Sequence, residues 1–266
     1  MSKLLLLCSF FTLAIYAEDS DAVLVPLRDS SRPPLVHVHS MNGVIRVRGE
    51  DRKDIAVDSS GRSQEERKSR QDGMHRIDAG GGGFDITEDN NVVNIKTSIF
   101  HQGGDITVRV PRHSSLELKS LAGGEISVEN VEGDIEVEDL NGAIHLRDVA
   151  GSVLAHSLNG EVVAELRSVD PSKPMSFSTM NGKIDVTLPA DVRANVALKT
   201  DNGEILSDFD VKLDGRAKVT DSDGGRQADG TFHVRLDKTL HGTINGGGPE
   251  YKFRSFNGEI LIRKRK

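Results

Sequence analysis

Glycine recurs at positions 124, 133, 142, 151 and 160, a spacing of nine held through five units. Nine residues cannot enclose a core of their own, so units of this length bury apolar surface only by stacking on one another. Two residues after each glycine stand Ile126, Ile135, Ile144, Val153 and Val162, and four after it stand Val128, Val137, Leu146, Ala155 and Ala164. Apolar residues at alternate positions have the period of a half-buried strand. Val131, Leu140, Val149 and Leu158 come just ahead of the turns and read as a third inward residue per unit.

The glycines mark bends, where a position tolerant of positive φ is needed. Gly142 and Gly160 follow Asn141 and Asn159, whereas Gly124, Gly133 and Gly151 follow other residues. The two turn types alternate at 133, 142, 151 and 160, so the true repeat is a coil of two strands and 18 residues. Further Asn-Gly turns stand at Asn42–Gly43, Asn181–Gly182, Asn202–Gly203 and Asn257–Gly258, with Ile45, Ile184, Ile205 and Ile260 two residues on. Their spacings of 22 and 21 after Asn159 fit the same coil with small loop insertions. Asn-Gly is also the strongest two-residue hairpin signal, which makes a plain meander the rival fold. The 18-residue register favours stacking, because it aligns Glu129 with Arg147, Arg147 with Glu165 and Glu138 with His156. Each such cross-strand pair contributes about 0.2–1 kcal/mol. The expected fold is an all-β, single-domain β-solenoid (β-helix-like) over residues 35–262, with two short strands per coil of about 18–22 residues.

Residues 1–17 read as an export signal: Lys3, then the apolar run Leu4 to Ile15, then Ala17 as the small residue before cleavage. About 20 apolar residues are needed to cross a bilayer, so the run is too short to be an anchor, and no second stretch in the mature chain is long enough either. Cys8 is the only cysteine and lies in that run, so the mature chain has neither disulfide nor thiolate metal site. Loss of Lys3 takes the formal charge from −7 to −8, which argues against nucleic acid and anionic lipid as partners. Residues 18–34 form a lead-in. A charged excursion over 59–75 carries a capping box, Ser63-Gln64-Glu65-Glu66, that predicts a short helix ending near Gly73. The basic residues 263–266 read as a solvated tail, with a contact to phosphate or anionic glycan as the alternative.

The pattern Ser/Thr/Asp-apolar-Asn-Gly-x-Ile/Val-x-Val behind a signal peptide resembles the bacterial adhesin, or toastrack, family of β-strand-repeat domains of unknown function. The resemblance covers roughly residues 35–262 and implies a stack of strands, an envelope or secreted location and no catalytic residues.

No nucleophile elbow, zinc-protease helix or phosphate loop is present, and no cofactor is expected. The sequence contains no Trp, and Tyr251 is the only Tyr beyond the signal, so few flat side chains are available to stack on a sugar ring. Gly80 to Asp85 matches one copy of a calcium nonapeptide that works only as successive copies, and Asp221 to Gly224 is a fragment of a calcium loop lacking its distal Glu. His37 and His39 share a strand face without an identifiable third ligand. Seven acids and no Lys or Arg lie between Lys119 and Arg147. Of these, Glu125, Glu129, Asp134, Glu136 and Glu138 form the candidate interaction face, for a cation or a basic partner, against the plainer role of a solvated face that resists edge pairing.

The expected function is that of an exported (periplasmic, cell-surface or secreted), non-enzymatic, adhesin-like protein that presents a rigid surface to an envelope protein or glycan. The alternative is an exported protein that binds or cleaves polysaccharide. Ile144→Asp places an unpaired charge in a thin core. It is expected to abolish the cooperative thermal transition seen by circular dichroism, and a parent-like melt would refute the register.

Overall fold

The computed structural model describes residues 22–60, 84–97, 104–122, 124–214 and 239–266, and every strand among them is short except one. In chain order they are β1 (Val23–Pro26), β2 (Leu35–Ser40), β3 (Ile45–Glu50), β4 (Asp54–Ser60), β5 (Phe84–Asp89), β6 (Val92–Thr97), β7 (Asp105–Pro111), β8 (Ser115–Ser120), β9 (Ile126–Glu129) and β10 (Glu132–Asp139). Then follow β11 (Ile144–Asn159), β12 (Val162–Val169), β13 (Met175–Asn181), β14 (Ile184–Leu188), β15 (Ala194–Asn202), β16 (Ile205–Ser207), β17 (Val211–Leu213), β18 (Leu240–Ile244), β19 (Glu250–Asn257) and β20 (Ile260–Lys264).

Each rung of the solenoid places one strand in each of two sheets. The first sheet runs β6–β2–β8–β10–β11–β13–β19–β15, all parallel. The second runs β7–β3–β9–β11–β12–β14–β20–β16, also parallel. β11 passes from the second sheet into the first through a bulge, where Asp148 has φ 52° and Gly151 φ 115°. The alternating residues of both sheets form one hydrophobic cluster. Ile126, Ile135, Ile144, Val153 and Val162, two after the periodic glycines, are at most 1% exposed.

The third apolar column divides. Val131 and Val149 are buried, but Leu140 is 40% exposed and the equivalent Leu158 is only half-buried. In the triplet before every Asn-Gly glycine but Gly203 the apolar residue points outward, and the polar residue ahead of it points in. Ser157, Thr179 and Ser255 donate their hydroxyls to the carbonyl oxygens of Gly142, Gly160 and Gly182, at 3.0, 2.8 and 3.1 Å. Thr200 does the same to Gly258 at 2.9 Å. Each bond ties one rung to the next, so the inward polar atom is satisfied within the core.

The corner is closed on its outer side by an asparagine ladder. The amides of Asn159, Asn181, Asn257 and Asn202 join Asn141 in an unbroken series of side-chain bonds 2.8–3.0 Å long. Glycine follows each of these asparagines for a steric reason. A Cβ at Gly142, Gly160 or Gly182 would overlap the carbonyl of Gly124, Gly142 or Gly160 in the preceding rung. Positive φ, the reason inferred from the sequence, applies at Gly43, Gly124, Gly151 and Gly258 among the predicted turns, with φ 98°, 151°, 115° and 155°.

Spatial order departs from chain order at both ends. β2–β3 lies between β6–β7 and β8–β9, and β19–β20 lies between β13–β14 and β15–β16. The coil of Asn202 therefore does not stack on that of Asn181, as the 21-residue spacing suggested; the C-terminal coil separates them. Antiparallel strands cover much of the outer rungs: β5 on β6, β4 with β1 on β7, and β18 with β17 on β15. These strands protect edges that would otherwise offer unpaired backbone groups. The predicted helix after Ser63 lies outside the described residues.

The last coil is thus an interior layer, packed by the Phe177–Phe253 stack (centroids 5.3 Å apart) and by fully buried Tyr251. Truncation after Gly248 is expected to eliminate cooperative unfolding, followed by circular dichroism and limited proteolysis, because it removes a rung with neighbours on both sides. A shorter but still cooperative domain would show that the rungs are independent.

Candidate interaction surface

The five acids of the candidate face are divided between the sheets. Glu125 and Glu129 lie on the outer side of the second sheet, whereas Asp134, Glu136 and Glu138 lie on the outer side of the first. Nine-residue spacing makes this inevitable, since half a coil carries the chain from one sheet to the other. Each group has its own partners. Glu129 sits between Arg48 and Arg147, at 3.1 and 2.9 Å, which establishes the predicted Glu129–Arg147 pair. Glu125 meets His145 Nδ1 at 2.9 Å, and the other ring nitrogen meets Glu161 at 3.1 Å. Lys183 meets the same Glu161 at 3.2 Å, and the His145 hydrogen bond is the chief cause holding that carboxyl below its ordinary pKa.

On the first sheet Asp134 accepts from Lys173 at 2.8 Å and from Ser152 at 2.6 Å, which lowers its pKa. Lys119 bridges Glu117 at 3.0 Å and Glu138 at 3.6 Å. His156 is in register with Glu138 as predicted, but its Nδ1 bonds to Ser178 at 2.8 Å. The predicted Arg147–Glu165 alignment falls at the β11 bulge, where the register shifts. His37 approaches Glu117 at 3.7 Å, and burial above all holds His39 below the ordinary histidine range. Among the described residues no group of three or more His, Cys, Asp or Glu is placed to hold a metal. Gly80 to Gly83 and Asp221 to Gly224 lie outside the described residues.

The basic C-terminus is held in place. Arg263 grips both oxygens of Asp185, at 2.7 and 3.1 Å, and Arg265 reaches Asp148 at 3.1 Å. Lys264, at the end of β20, places its Nζ 5.0 Å from the centre of the Phe209 ring. A free cationic tail is therefore replaced by a stapled strand end.

Leu140 and Leu158, which the sequence reading placed in the core, belong instead to a ridge along the Asn-Gly corner. Met41, Leu121, Leu140, Leu158, Met180 and Phe256 occupy equivalent outward positions on six consecutive rungs. Met41, Leu121, Met180 and Phe256 are 38–46% exposed. Exposed apolar side chains scattered singly need no explanation, whereas these six stand in one row on adjacent rungs.

Under this ridge lies the one buried charge-bearing residue among the described core residues, Asp139, 1% exposed. It occupies the inward position that holds Ser157 one rung on and Thr179 two rungs on. One oxygen accepts the backbone N–H of Asn141 at 2.9 Å, while the other is buried without a partner. Burial raises its pKa to about 6.

The fold and its surface define a two-sheet β-solenoid with one apolar corner. No protein-family model matches the chain, and no curated protein does. Two solved structures are similar to it: a candidate cell adhesion protein from Clostridium sporogenes and a candidate adhesin from Bacteroides fragilis. Each is 11% identical to this chain, with a TM-score of 0.39 over 92% of it, covering 99% and 96% of the respective structures.

A carboxyl whose folded pKa is raised stabilises the fold below the unfolded pKa and loses that contribution as pH rises toward the folded value, here between 3.8 and about 6. Asp139→Ser supplies a neutral hydroxyl at a position built for one. It is expected to stabilise the protein at pH 7.5 by about 1–3 kcal/mol, a gain that shrinks toward pH 4. Denaturant titrations at both pH values test this; a gain independent of pH would place the effect elsewhere.

Proposed function

We propose that this chain is an exported, non-enzymatic interaction protein that holds a rigid β-solenoid surface toward an envelope component or protein partner. The observation that carries this reading is the interlocked frame: eight rungs among the described residues, with a rung from each end of the chain threaded inside the stack. Such a frame holds outward side chains at a fixed rung spacing of about 4.8 Å over two broad faces and one apolar corner. Its aromatic residues support a structural use, since Tyr251, Phe177 and Phe253 are spent in the core, while Phe256 is 46% exposed on the ridge. The leader-like residues 1–17 support export.

The test is an affinity capture from envelope extracts with the folded chain, using Ile135→Asp as an unfolded control. The expected outcome is retention of a specific protein by the folded chain only, unaffected by substituting single carboxylates such as Glu136 or Glu138. Enrichment of polysaccharide that shortens on incubation would replace this reading with a glycan-cleaving one.

A further inference from the structure

The ridge interrupts a rule that the rest of the molecule obeys. Everywhere else outward positions carry polar or charged residues at most rungs, yet here six consecutive rungs present Met, Leu or Phe to solvent and place Ser, Thr or Asp beneath them. Nothing in the backbone requires this: the next rung carries Asp201 at the same position, with Thr200 still bonded inward and Asn202 still in the ladder. The apolar choice at the other six rungs therefore has a cause outside the fold.

On four rungs the two flanks of the ridge carry opposite charge, while on two others Glu138 on the first-sheet flank shares its rung with Ala143, and Lys183 on the second-sheet flank shares its rung with Ser178. On the first-sheet flank, two residues before the ridge position, stand Lys119, His156, Arg254 and Lys199. On the second-sheet flank, just past the Asn-Gly or Gly-Gly turn of those same rungs, stand Glu125, Glu161, Glu259 and Glu204. A membrane approached along the ridge would press both flanks against headgroups of one sign, and the glutamate flank opposes anionic lipid. A surface with one cationic and one acidic flank at matching heights is instead complementary to itself.

We infer that the ridge is the contact between two copies of this chain, related by a two-fold axis parallel to the solenoid axis. That operator sets equivalent rungs side by side, so Leu140 meets Leu140 and Phe256 nears Phe256, while the cationic flank of each copy faces the glutamate flank of the other: Arg254 toward Glu259, Lys199 toward Glu204. An isologous contact of this kind closes at two copies. The antiparallel two-fold would set cation against cation and glutamate against glutamate. The six apolar rungs at about 4.8 Å give a strip about 29 Å long. The inference concerns self-association and stands apart from the envelope partner proposed above.

Sedimentation velocity of the purified chain across about 1–100 µM tests it. The parent is expected to pass from monomer to dimer over this range. Leu140→Glu and Met180→Glu, each at an exposed position, are expected to weaken the dimer about tenfold or more with an unchanged melting temperature. Two charge variants test the geometry. Arg254→Glu/Lys199→Glu has two acidic flanks, Glu259→Arg/Glu204→Arg two basic ones, so each is expected to be monomeric by itself. An equimolar mixture restores both flank pairings and is expected to form a 1:1 dimer. A parent that stays monomeric at the highest concentration overturns the inference, as does a folded Met180→Glu variant that still dimerises like the parent. Failure of the mixture to form heterodimer overturns the parallel two-fold.

Discussion

At the Asn-Gly corner, successive rungs approach so closely that the glycine of one leaves no space for a Cβ over the glycine carbonyl of the one before. This approach sets the height of every rung and brings three other elements into line. The inward hydroxyl reaches the preceding carbonyl, the asparagine amides meet end to end, and the strands on either side enter parallel pairing in register. Solenoid stability is a sum of interfaces between neighbours, so a corner that fixes the geometry of each interface fixes the whole stack. Ala122 breaks the asparagine ladder between Asn42 and Asn141, and Gly43 there takes a positive φ. The ladder therefore reinforces the spacing, while the glycine approach creates it.

The same corner inverts the usual distribution of polarity. Because a hydroxyl is needed inside to satisfy a glycine carbonyl, the following residue must point out, and that outward position holds the apolar ridge. Asp139 shows what happens when the rule is bent. Its second oxygen faces a core built for a donor, and burial pushes its proton affinity up instead. The site is thus continuous from core to surface: the bond that closes the rung below determines what the ridge displays above it.

Threading the terminal coils inside the stack has a kinetic and a mechanical consequence. β2 pairs with β6 and β19 with β13 across long stretches of chain, so the end rungs close only after distant segments meet, which slows folding. Once closed, neither end coil peels from an exposed end, and added antiparallel strands shield much of the outer edges. The β2–β3 and β19–β20 coils each lie within an interface on both sides, and Arg263 and Arg265 staple the last strand to Asp185 and Asp148.

The strands, the two-strand coil, the alternating core and the Glu129–Arg147 pairing were legible in the sequence, because each is a property of residues two, nine or eighteen apart. The toastrack resemblance pointed to the same stack of strands. Three things were not. Leu140 and Leu158 read as core, since an apolar residue before a turn looks the same whether its carbon chain or its neighbour's hydroxyl faces inward. The acids from Glu125 to Glu138 read as one face because spacing alone does not say which sheet each half-coil enters. The order of the coils was hidden most completely. Every Asn-Gly corner presents the same glycine carbonyl and the same asparagine amide, so the repeat specifies how any coil stacks but not on which one. Only the closure of the whole chain decided that, by fitting the coils at Leu35 and Tyr251 between partners distant in sequence.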